Sequence, residues 1–140
     1  MNPLRHGTEL EVRVGKTPDA ILPMFSVLAA NGIGVLARCM FSDRNGTVLL
    51  LLTDDHLKAQ SVFGTGGYEC RAEGVLWAEY PEYHPGSVAQ LCHRLNLAGI
   101  DVQRMYVSTY SGQGCVAVLK TSDNQAACRY VNEQSLQSAA

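Results

Sequence analysis

Residues 85–102 read PGSVAQLCHRLNLAGIDV, and 67 positions earlier residues 18–35 read PDAILPMFSVLAANGIGV. Pro18, Leu28, Gly32, Ile33 and Val35 thus recur as Pro85, Leu95, Gly99, Ile100 and Val102. Both stretches place a proline suited to the first turn of a helix, then apolar residues at helical spacing, then a glycine that closes the helix before a new strand. What recurs is a unit of structure, and two copies make a pair of modules, not a solenoid.

Working outward from the first copy, Leu10, Val12 and Val14 alternate with Glu9, Glu11 and Arg13, the pattern of a half-buried strand over Thr8 to Val14. Gly15 and Lys16 turn the chain into a helix start with Thr17 as N-cap, Pro18 next and Asp19 near the positive end of the dipole. Ile21, Phe25, Leu28 and Ala29 form its apolar stripe, and Asn31 and Gly32 close it. A strand from Ile33 to about Phe41 leads through Asp43, Arg44, Asn45 and Gly46, a hairpin signature, into the continuous apolar run Val48 to Leu52, which predicts a central strand. Thr53 or Asp54 caps a short helix through Leu57, Val62 and Phe63, Gly64, Gly66 and Gly67 end it, and Tyr68 to Ala72 reads as a fourth strand.

The second unit follows with almost no linker: a strand from Val75 to Tyr80, a helix from Pro85 to Ala98, a strand from Ile100 to Tyr110, a loop at Gly112 to Gly114 and a strand from Cys115 to Thr121. Its last helix, about Ser122 to Asn132, has no strand after it, and the tail Glu133 to Ala140 reads as frayed. The expected fold is α+β, with two ferredoxin-like βαββαβ units in tandem over residues 8–73 and 74–136, antiparallel sheets and helices on one face. The second unit lacks its last strand, which leaves a sheet edge for the N-terminal segment to cover or for another chain to pair with.

Composition narrows the function classes. At 140 residues with 46% hydrophobic and 17% charged, the chain can build a core and carries no disorder signature. A formal charge of -2 and scattered Lys and Arg argue against nucleic acid. No apolar run reaches a membrane span, and Met1 to Gly7 lacks the apolar stretch of a signal peptide, so a cytoplasmic protein with no membrane partner is expected. Cys39, Cys70, Cys92, Cys115 and Cys128 show no Cys-x-x-Cys pair and read as buried reduced thiols, neither a disulfide framework nor a metal set.

Catalytic motifs are missing from the sequence. There is no Gly-x-Ser-x-Gly elbow, no phosphate-binding Gly-x-x-x-x-Gly-Lys loop and no His-Glu-x-x-His pair. Gly64, Gly66 and Gly67 end a helix where a phosphate loop would open one, and the adjacent Cys92 and His93 point to different helix faces. No enzyme activity and no cofactor are expected.

Tyr83 to Leu91, followed by Leu95, the run Ala98 to Val102 and then Met105 and Tyr106, resembles an ACT domain. The first half resembles it through Pro18, Leu28 and the run Asn31 to Val35. Asp54-Asp55 with Lys58-Ala59, and Ser122-Asp123 with Ala126-Ala127, resemble the family's second-helix entrance. The likeness extends from about Glu9 to Val131 and is closest to small free-standing tandem ACT proteins.

The resemblance implies regulation by a small molecule, usually an amino acid, held where the helix-entrance loop of one unit meets the second-strand start of the other. The implied contacts are Tyr83, His84, Pro85, Gly86 and Ser87 in one loop and Thr17 and Asp19 in the other, with Gly32, Ile33, Gly34 and Asp101 at the strand starts. A helix N-terminus with a close-approach glycine suits a carboxylate, and Asp101 suits an ammonium or serves as a polar strand start. Asp19 stands where the family has Gly, and Gly34 where it often has Asn. The expectation is therefore one working site, at the loop Pro85-Gly86-Ser87, or sites formed with a second chain; two carboxylates, Asp19 and Asp101, would repel an anion. The expected function is that of a regulatory protein binding an amino acid or similar metabolite and acting as a homodimer or on a regulated enzyme. The alternative is an interaction module whose ligand site has decayed.

Overall fold

In a computed structural model the described residues are 2–15, 21–82, 84, 86–110, 112 and 114–139, side chains of 135–139 excepted. Their elements run β1 (Arg5–Val14), α1 (Ile21–Ala30), β2 (Val35–Asp43), β3 (Gly46–Thr53), α2 (His56–Thr65), β4 (Glu69–Tyr80), α3 (Ser87–Leu97), β5 (Val102–Thr109), β6 (Cys115–Thr121) and α4 (Asn124–Ala139). Contacts divide the chain into two compact units, Thr8–Glu73 and a second composed of Gly74–Ala140 with Met1–Gly7. The fold is α+β and ferredoxin-like.

In the Thr8–Glu73 unit the strand order is β2-β3-β1-β4, with β3 antiparallel to both β1 and β2. Leu10 pairs with Leu51 and Val12 with Leu49, and all four pack with Met24 and Leu28 of α1 and Ala59 and Phe63 of α2. Each such leucine contributes about 2 kcal/mol through burial. The alternation of Leu10, Val12 and Val14 therefore predicts the core face correctly. It fails for Glu9, which is buried and engaged in a polar interaction, because β3 is buried along nearly its whole length and the sheet has no solvated face there.

Helix ends follow the sequence closely. Gly32 adopts φ 69°, and Gly32 and Ile33 donate to the carbonyls of Ala29 and Leu28, closing α1 in a Schellman motif. Gly99, at φ 73°, and Ile100 repeat this at the end of α3 with Asn96 and Leu95. The N-cap of α2 is Asp55, whose side chain accepts from Lys58 N–H, not Thr53 or Asp54 as expected. Asp123 accepts from Ala126 N–H in the same way. At the β2–β3 hairpin Asp43 receives Arg13 through two guanidinium nitrogens at 3.2 and 3.0 Å and also accepts from Asn45 N–H.

In the other unit the order is β1-β4-β6-β5, with β6 antiparallel to β4 and β5. The core joins Leu76, Ala78 and Tyr80 of β4, Leu91 and Leu95 of α3, Ala117 and Leu119 of β6, and Ala127 and Val131 of α4. Leu4 completes it. Leu4 N–H donates to Asn132 Oδ1 and its carbonyl accepts from Asn132 Nδ2, and Arg5 lies over the Trp77 ring. The strand missing after α4 is thus supplied from the opposite end of the chain.

Several boundaries differ from expectation. β1 starts at Arg5 rather than Thr8, and β4 runs unbroken through Gly74 where two strands were expected. α4 continues to Ala139, past the Asn132 limit; Glu133 to Ala140 contains neither Gly nor Pro to stop it. All five cysteines are free, but only Cys115 is fully buried and the other four are half-buried. Among the described residues no helix is long and apolar enough to cross a membrane.

Candidate functional site

β4 ends at Tyr80 and α3 begins at Ser87, so the segment between them turns the chain from the sheet onto the helix. Gly86 is the N-cap residue, with φ 90° and no side-chain cap. A Cβ there would meet nothing within 4 Å. The glycine is needed for its left-handed backbone, since residues with a Cβ are strained at such φ. The expectation that it is the second residue of a helix starting at Pro85 is corrected by two places, since the helix begins at Ser87.

Along α3, Leu91 and Leu95 turn into the core, while Ser87, Gln90 and Arg94, spaced by three and four residues, form a polar stripe beside them. This stripe, with Tyr80, Pro81, Glu82, His84 and Asn2, lines an open cavity of about 620 Å³ within the Gly74–Ala140 unit. Asn2 is tied to the rim by a hydrogen bond from Nδ2 to the Glu79 carbonyl.

Two polar groups of this lining are unusual. The Tyr80 hydroxyl and Arg94 Nη1 are buried without a hydrogen-bond partner, although burial of either group without one is costly. Burial, and then the nearby Cys115 and Cys92, push the Tyr80 phenol up from its ordinary value, so it remains a protonated donor at neutral pH. Arg94 has only donors to offer. Glu82 and His84 are exposed at the rim.

His84, Gly86 and Ser87 are therefore brought together. Asp101 is not with them: it follows the far end of α3, roughly 16 Å along the helix, where its N–H is held by Ser122 Oγ at 3.1 Å. Gly32, Ile33 and Gly34 lie at the corresponding end of α1; Ile33 is a core residue and Gly34 N–H donates to Asp54 Oδ1. Thr17, Asp19, Tyr83 and Pro85 lie outside the described residues. Sequence reading missed Tyr80, Arg94, Gln90 and Asn2. The polar stripe at 87, 90 and 94 was a legible signal for two of these, whereas Asn2 carried none.

Among the described residues no group of three or more His, Cys, Asp or Glu side chains is placed to hold a metal ion. Two residues of the lining, Tyr80 and Arg94, each carry a buried donor without a partner.

The class defined by these features is that of a ferredoxin-like α+β fold carrying an open polar cavity beside a helix N-terminus. No protein-family profile matches the chain, and no curated protein matches it significantly. Solved structures do. Protein BT0572 from Bacteroides thetaiotaomicron is similar over 94% of this chain and 90% of its own, with 17% identity and a TM-score of 0.83. The regulatory subunit of aspartate kinase from Thermus thermophilus, in a ligand-free form, is similar over 93% of both chains, with 15% identity and a TM-score of 0.62. Aspartate kinase from Clostridium acetobutylicum is similar over 91% of this chain but only 33% of its own, with 12% identity and a TM-score of 0.53. At these identities the likeness is one of fold.

Proposed function

We propose that this chain is a non-enzymatic regulatory protein of the ACT type that binds an amino acid or similar small metabolite. It acts in the cytoplasm by associating with itself as a homodimer or with a regulated enzyme. The observation that carries this reading is the α3 entrance, where an uncapped helix N-terminus behind Gly86 opens beside a polar cavity. Such a terminus favours a carboxylate. The fold likeness to an aspartate kinase regulatory subunit supports a regulatory role. His84, Gly86 and Ser87 are proposed as contacts with Tyr83 and Pro85; Thr17, Asp19, Gly32, Ile33, Gly34 and Asp101 are the further contacts that the ACT resemblance proposes.

Regulation would work by population shift. A ligand biases the chain between two arrangements only by the difference in its affinity for them, typically about 1 to 3 kcal/mol in coupled systems. A thermal-shift panel of the twenty amino acids, nucleotides and organic acids, with light scattering on the same samples, tests this. A rise in melting temperature with the logarithm of ligand concentration, accompanied by a change in oligomer size, is expected; silence across the panel contradicts the reading.

The alternative, an interaction module without a ligand, is favoured by one observation. β2 and β5 end the strand order, and they expose Leu36, Met40 and Phe41 in one case and Met105 and Val107 in the other. Apolar edge strands are templates for association. A stable oligomer with no response to the panel selects this reading.

A further inference from the structure

We propose that the Tyr80 hydroxyl and the Arg94 guanidinium form an oxyanion subsite, built entirely within the Gly74–Ala140 unit, that takes the carboxylate of a small zwitterion. The identity of the ligand as an amino acid rests on the reading above; the subsite itself does not.

Tyr80 is only 5% exposed, and its hydroxyl and Arg94 Nη1 are both buried and unpartnered while both residues line one cavity. Two residues that line one cavity and each carry a buried, unpartnered donor call for an acceptor that serves both. A water can accept from such a pair, whereas a carboxylate or phosphate adds several lone pairs and a charge that pairs with the guanidinium. Arg is the side chain that matches the planar geometry of a carboxylate. Ser87 and Gln90, from the same helical stripe, add neutral polar groups, and the α3 N-terminus adds its partial positive charge.

Glu82 decides between anions. It lines the same cavity from the exposed rim, so a dianion such as phosphate meets repulsion there while the ammonium of a zwitterion meets a counter-charge. The subsite therefore favours a molecule with a carboxylate at the Tyr80 and Arg94 end and a cationic group toward Glu82.

Calorimetric titration of the full chain with the twenty amino acids, succinate and inorganic phosphate tests the assignment, using wild type, Tyr80→Phe, Arg94→Gln and Arg94→Lys. Amino-acid binding that weakens about tenfold in Tyr80→Phe and about a hundredfold in Arg94→Gln, with partial recovery in Arg94→Lys, is the expected result. Tyr80→Phe keeps the buried ring, so it separates loss of the donor from loss of the fold. Arg94-dependent binding of succinate or phosphate alone would keep the subsite and overturn the amino-acid reading. Amino-acid binding unchanged in Tyr80→Phe and Arg94→Gln would overturn the subsite and keep that reading. Wild-type silence would overturn both.

Discussion

Asp54 and Gly34 hold each other through two hydrogen bonds: the Asp54 carboxylate accepts Gly34 N–H at 2.9 Å, and Asp54 N–H donates to the Gly34 carbonyl at 3.0 Å. A Cβ on Gly34 would stand 2.6 Å from Asp54 Oδ2. The glycine at this position is thus explained by the carboxylate beside it. Gly34→Ala should push that carboxylate off the backbone and cost about 1 kcal/mol, the net worth of a typical solvent-exposed hydrogen bond. In an Asp54→Ala background the same change should cost nothing, so urea denaturation of the double-mutant cycle should show a coupling of similar size.

Gly86 makes a separate demand on the α3 entrance. At φ 90° a β-branched residue is strained, so Gly86→Val should lower stability by about 1 to 2 kcal/mol even though the space before it is open. Gly86→Asn should cost less, because Asn tolerates left-handed backbone. Thermal unfolding of the two variants checks the order; equal losses would point to a steric cause.

Leu4 ties the N-terminal segment into the core of its unit. Its side chain is 2% exposed, and Asn132 satisfies both its N–H and its carbonyl. Leu4→Ala should cost about 2 to 4 kcal/mol as a buried large-to-small change. Asn132→Ala should cost about 1 to 3 kcal/mol by leaving part-buried backbone groups unpaired. Equilibrium unfolding in urea measures both.

Burial pushes the thiols of Cys70, Cys92, Cys115 and Cys128 above the ordinary value of 9.0. On unfolding these thiols ionise near pH 9, so above it the unfolded state binds fewer protons than the folded one and stability falls. The stabilising contribution is whole below about pH 9 and lost as pH rises through the raised folded values. Melting temperature under reducing conditions should therefore decline from pH 8 to pH 10, and less steeply in a Cys70→Ser, Cys128→Ser variant.

Much of this fold was legible because its strongest signals are local. The Cys115 to Thr121 strand follows from an apolar run, and the exits of α1 and α3 from Gly32 and Gly99, whose left-handed backbone serves the same hydrogen bonds in both units. The α2 cap was misplaced because Thr53, Asp54 and Asp55 can all cap a helix. Asp54 is taken by Gly34, a tertiary contact that sequence proximity cannot show. Arg5 to Gly7 carry no alternation, so their strand comes from pairing with β4. The cavity was legible in its loop and in the polar stripe of α3, whereas Tyr80 joins them in lining it through tertiary packing that its residue type does not signal.

The most direct test is hydrogen–deuterium exchange of the full chain with each of the twenty amino acids in turn. The account predicts that at least one slows amide exchange between Tyr80 and Arg94, because a ligand bound to the native state at the α3 entrance raises the free energy of opening there. Unchanged exchange there with every amino acid would contradict it.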